Sequence, residues 1–117
     1  MQLLIVVLFA LHALPGVFWV GSTFTLARFR GEGAAGLFRS QMGAAAVSFL
    51  AGIGLWATLY RGAQGIFEHT LAVGALCAVA AAGVQGALRR SPALAHRIAA
   101  GLLAVSVLCM VTGRYIG

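Results

Sequence analysis

Apolar positions in this chain do not alternate with polar ones at a helical or a strand period. They run on in four long blocks separated by short polar or glycine-rich breaks. A helix on the surface of a water-soluble domain keeps one polar face, whereas helices apolar all round belong in lipid. One crossing takes about 20 apolar residues. On that measure the pattern predicts spans at Gln2–Ala27, Gln41–Tyr60, Ile66–Leu88 and Ala93–Tyr115. The breaks read ARFRGEGAAGLFRS, RGAQG and RRSP. Ser40 and Ser91 are the expected N-caps of the second and fourth spans, with Pro92 at the first helical position of the fourth. Connections this short make consecutive spans antiparallel neighbours. The expected fold is therefore all-α, an up-down four-helix transmembrane bundle forming one domain over residues 1–117.

Composition agrees with the pattern. Hydrophobic residues make up 62% of the chain and charged ones 9%, and mean hydropathy is +1.00. A soluble domain carries about a quarter charged residues. The opening MQLLIVV has no basic n-region and its apolar run outlasts a signal peptide, so it reads as a retained first span. The formal charge of +6 comes from eight arginines against Glu32 and Glu68. The arginines stand at the ends of the apolar blocks, which makes them topology signals, not nucleic-acid contacts. Arg28, Arg30, Arg39, Arg89, Arg90 and Arg97 flank one side, and Arg61 and Arg114 the other. The positive-inside rule then predicts a bacterial inner-membrane protein with both termini in the periplasm. Trp56, Tyr60 and Tyr115 fall toward the outer interface, where amphipathic rings belong. The expected partner is the lipid bilayer, and through the Ala/Gly-rich third span a second copy or a larger membrane complex.

Against this background the histidines stand out. His12 lies near the bilayer middle, roughly 15 Å from the start of the first span at 1.5 Å per residue. An ionisable residue at that depth is a candidate site. Pro15 removes the helical partner of the Leu11 carbonyl and predicts a kink beside it. His12, Gly16, Trp19 and Thr23 recur at i, i+4, i+7 and i+11, so they share one face, expected to line the bundle interior. His69 starts the third span, roughly 5 Å deep on the same count. Glu68, Arg61 and Arg114 are expected near it at the outer rim, as an ion pair or as a hold for haem propionates or an anionic headgroup. His96, near the inner end of the fourth span, reads as a solvated interfacial residue. Cys77, Cys109 and Met110 are soft donors inside apolar runs, and with imidazole they make a ligand set that suits copper(I); they are equally ordinary core residues. The two cysteines do not suggest a disulfide framework. There is no HExxH, P-loop, GxSxG or carboxylate pair, so no catalytic constellation marks an enzyme. Chemistry here would be redox or metal chemistry lent by a cofactor.

The run Leu11-His12…Val17-Phe18-Trp19-Val20-Gly21 resembles the first helix of the short copper resistance D type membrane proteins. Gly101-Leu102-Leu103…Thr112-Gly113-Arg114-Tyr115 is similar to their closing helix. The resemblance implies a four-span plan and a role in copper homeostasis or transport, although this chain has fewer Met and His residues than a copper-rich pattern. Three readings stay open. In the first, His12 is the central copper ligand, assisted by Cys77, Cys109 or Met110. In the second, the chain carries haem b between His12 and His69, beside Trp19 and with Arg61 and Arg114 at the propionates. In the third, it is a non-catalytic accessory subunit. The depths of His12 and His69 disfavour bis-histidine ligation.

Overall fold

The computed structural model describes residues 2–59 and 66–116, the side chains of 59, 66–68 and 113–116 apart. Four helices follow in order: α1 Gln2–Arg28, α2 Ala34–Leu59, α3 Ile66–Ala87 and α4 Pro92–Ile116. All four are long and apolar enough to cross a membrane. The molecule extends 41 Å along its longest axis. At 1.5 Å per residue a helix of α1's length spans about 40 Å, so the helices run along that axis.

Packing is uneven. α1 lies against α2 and α3 against α4, the two hairpins meet mainly through α1 and α4, and α2 and α3 touch only slightly. The buried centre is Trp19, Ala45, Ala81, Ala99 and Leu103, flanked by Val20, Ala44, Ala78, Ala82 and Leu102. Alanines at the seams let backbones approach closely, which is how helices associate where lipid supplies no hydrophobic drive. Gly74 is the tightest case at the α3–α4 seam, since a Cβ there would stand 2.9 Å from the Cys109 Cβ. The outward face is apolar: Leu3, Val6, Leu14, Val17, Leu50, Leu76 and Leu108 are all exposed, as lipid contact requires.

The second span begins earlier than its hydropathy suggests. α2 starts at Ala34, not Gln41, and Ser40 is an exposed residue inside the helix instead of its N-cap. The added turns have tertiary support that hydropathy does not register. Ala34 is buried, and the Phe38 ring carries the Arg89 guanidinium 3.9 Å above its centre. The fourth span starts as expected: α4 begins at Pro92, and the Ser91 carbonyl accepts the Ala95 N–H at 2.9 Å as an N-cap carbonyl does.

Between α1 and α2 the chain reverses over Phe29–Gly33. The Gly31 N–H donates to the Leu26 carbonyl at 2.7 Å, the six-to-one bond of a Schellman end. That places Arg30 at the left-handed position, φ 57°, where glycine is usual and a side chain costs about 1 kcal/mol. Gly31 follows at φ 79°, and a Cβ there would fall 2.6 Å from the Pro92 Cβ. The turn is thus pressed onto the start of α4.

Candidate functional site

Two polar layers cross the bundle. The first is centred on His12. α1 runs on through Pro15 without a break, and α2 docks on the turn that proline weakens. The Ser48 hydroxyl donates to the His12 carbonyl at 2.6 Å. In return the His12 ring places Nδ1 2.7 Å from the Ser48 carbonyl. A carbonyl only accepts, so Nδ1 carries a proton, which selects the tautomer whose lone pair is on Nε2. The ring is half-buried and lies on Gly52, where a Cβ would meet Cε1 at 2.9 Å and Nδ1 at 3.0 Å. Gly16 opposite Ser48 leaves similarly little room, 3.1 Å to its Oγ. The expected shared face is there: His12 and Gly16 are half-buried, and Trp19 and Thr23 are buried.

The second layer lies about two turns along α1, toward the arginine-rich end, and joins all four helices. The Trp19 indole N–H donates to Gln85 Oε1 at 2.7 Å. Gln85 Nε2 donates to Thr23 Oγ1 at 3.1 Å. Gln41 Nε2 donates to Ser22 Oγ at 3.0 Å and to Thr23 Oγ1 at 3.4 Å. The Ser22 and Thr23 hydroxyls in turn donate to the Trp19 carbonyl, at 3.1 and 2.7 Å. Thr23 therefore uses its one hydrogen and both lone pairs. Since both hydroxyl hydrogens are spent on Trp19, Gln41 must present its amide N–H to them and turn Oε1 toward His96. His96 Nε2 lies 3.4 Å from that oxygen, and Nδ1 lies 2.9 Å from the Pro92 carbonyl. Both ring nitrogens face acceptors. Exposure falls from 5% at Trp19 and His96 to 0% at Thr23, and among the described residues no buried side-chain polar atom lacks a partner. In lipid such matching is obligatory.

His96 is thus a correction: it is a buried crosslink between α4 and α2, not a solvated interfacial residue. The sequence pointed the other way because Arg97, an exposed charge, adjoins it, while its remaining neighbours in α4 are apolar on every side and carry no record of which face is buried. Gln41 and Gln85 went unread as well, although a glutamine inside an apolar run is itself a signal of an internal partner.

The remaining candidates separate. Trp19 spends its N–H on Gln85. Cys109 and Met110 pack on Gly74, at the seam of α3 with α4, while His12 faces α2. Cys77 and Cys109 are free, half-buried thiols. Among the described residues no three His, Cys, Asp or Glu side chains converge to hold a metal. His69 is exposed in the first turn of α3. Arg61, and the side chains of Glu68 and Arg114, fall outside the described residues, and with them the expected ion pair and propionate hold.

Two recesses open at the arginine-rich end. One of about 670 Å³ is bordered by Phe38, Gln85, Arg89, Arg90, Pro92 and His96 among others. The other, about 290 Å³, is lined by Ala27, Arg28, Arg30, Ala93 and Arg97. Neither is lined by His12.

No family model, curated protein or solved structure matches this chain.

Proposed function

We propose that the chain is a small multi-pass protein of the bacterial inner membrane that serves copper homeostasis, with His12 as the imidazole that receives the metal. One observation carries this reading. The 2.7 Å hydrogen bond from Nδ1 to the Ser48 carbonyl fixes the ring and selects the tautomer in which Nε2 can donate its lone pair to a metal. Metal-binding histidines are regularly held this way, by giving their other N–H to a carbonyl or carboxylate. Half-burial at mid-span keeps the ring within reach of an ion moving along the bundle. Cys109 and Met110 lie at the α3–α4 seam, apart from this ring, so with Cys77 they would be separate soft-donor contacts for copper(I), not ligands of the same ion. The resemblance of Leu11–Gly21 and Gly101–Tyr115 to copper resistance D proteins supports the same reading.

The test is a metal analysis and a visible spectrum of the purified protein. Copper at one equivalent in a colourless sample, lost in His12→Ala with the fold intact, is the expected result. A Soret band that disappears in His12→Ala would replace copper by haem b. A folded protein with neither would leave the accessory-subunit reading.

A further inference from the structure

The recess at the junction of α1 and α4 is lined by three arginines and no acidic residue. Arg28 borders it from the end of α1, Arg30 from the turn that follows, and Arg97 from the first turns of α4. Glu32, the one acidic residue of this turn, does not line it. Like charges brought to one concavity repel each other, and no protein group in the wall offsets that. The recess also touches Ala93, in the first turn of α4, where unpaired N–H groups and the helix dipole add positive potential. Its volume, about 290 Å³, compares with roughly 30 Å³ for one water, which leaves room for a phosphate group and part of its substituent.

The backbone is shaped to build this wall. Arg30 holds the left-handed C′ position where glycine would be relaxed, and Gly31 is so close to Pro92 that no side chain fits. The turn therefore delivers Arg30 beside Arg97 at the cost of a conformation that arginine rarely adopts.

We propose that Arg28, Arg30 and Arg97 form a binding site for a phosphate or phosphodiester anion at the membrane surface. Guanidinium forks pair with phosphate oxygens through two parallel N–H donors. A recess between membrane helices at their polar ends is where anionic lipid headgroups are held. The same chemistry would take free phosphate.

Thermal unfolding of the full chain in nanodiscs separates the sources. Three conditions are compared: phosphatidylcholine alone, phosphatidylcholine with phosphatidylglycerol in equal parts, and phosphatidylcholine with inorganic phosphate against chloride at matched ionic strength. The expected result is a rise of roughly 3–6 °C in the midpoint with the anionic lipid, retained in Arg39→Gln and lost in Arg97→Gln and Arg30→Gly. Arg39 is exposed on α2 and lines neither recess. Arg30→Gly relaxes the turn, so it should unfold no earlier than the parent in phosphatidylcholine alone, and its lost response cannot be blamed on misfolding. A matching rise with inorganic phosphate, absent in Arg97→Gln, supports the site with a soluble anion as its occupant. Equal responses in Arg39→Gln, Arg97→Gln and Arg30→Gly would reduce the effect to diffuse surface charge and overturn the site. No rise in any anionic condition would overturn it too.

Discussion

Thr23→Val tests whether the four-helix polar layer holds the bundle together. Valine keeps the shape of threonine and removes the hydroxyl. Three bonds go with it: those accepted from Gln85 and Gln41, at 3.1 and 3.4 Å, and the one donated to the Trp19 carbonyl at 2.7 Å. The losses differ in consequence. Gln41 keeps Ser22, and the Trp19 carbonyl keeps the Ser22 hydroxyl. Gln85 Nε2 has Thr23 as its partner and is left orphaned while 2% exposed. An unsatisfied buried amide costs about 1–3 kcal/mol in water-soluble proteins. Interhelical polar contacts in membranes average about 0.6 and reach about 1.7 kcal/mol, because the separated helices also find partners. The expected loss is therefore about 1–2 kcal/mol, roughly 5- to 30-fold in the folding equilibrium. Thr25→Val is the control. Its hydroxyl bonds to Gly21 within the same helix and is exposed, so it should change stability by less than about 0.5 kcal/mol. The assay is equilibrium unfolding in mixed micelles with increasing dodecyl sulfate, followed by tryptophan fluorescence, with Thr23→Ser expected to recover most of the loss. If Thr23→Val unfolds together with Thr25→Val, the layer is a bystander and the reasoning fails.

Three further outcomes are expected. Gly52→Ala should drive the His12 ring off the Ser48 carbonyl, because its Cβ would sit 2.9–3.0 Å from ring atoms; ¹⁵N spectra of the imidazole should report the lost bond, whereas Gly43→Ala, which meets nothing within 4 Å, should leave them unchanged. Gly74→Ala should destabilise the α3–α4 pair by about 1–3 kcal/mol, since the neighbours it strikes are the Cys109 Cβ and the Ser106 carbonyl, neither able to swing away; unfolding in the same micelles, with the unobstructed Gly83→Ala as reference, measures it. The arginine distribution predicts both termini on the periplasmic side, so a C-terminal reporter active only in the cytoplasm should stay silent, and an active one would refute that orientation.

The four crossings were legible because lipid imposes one requirement, length of apolar run, and local sequence states it directly. The inward face of α1 was legible too, from the helical spacing of His12, Gly16, Trp19 and Thr23. Their partners were not. His12 meets the backbone carbonyl of Ser48, and every residue has a carbonyl, so no pattern could have singled it out. Gln41 and Gln85 meet Thr23, and His96 meets Gln41, across sequence separations that depend on how each helix is rotated, and helices apolar nearly all round carry little record of rotation. The early start of α2 was hidden for a related reason: Ala34 and Phe38 are ordered by contact with distant parts of the chain, not by their own hydropathy.

The slight contact between α2 and α3 bears on how the protein is made. The chain divides into two helical hairpins that can each enter the membrane as they leave the ribosome. The first brings Trp19, Thr23 and Gln41, and the second brings Gln85 and His96. Until the second hairpin arrives, the Trp19 indole N–H has no Gln85 to receive it, and the Gln41 oxygen has no His96. A half-assembled molecule therefore carries its own mark of incompleteness, polar groups facing lipid at a fixed depth. That mark vanishes only when the hairpins dock in register, so the polar layer ties completion of the fold to the correct meeting of its two halves.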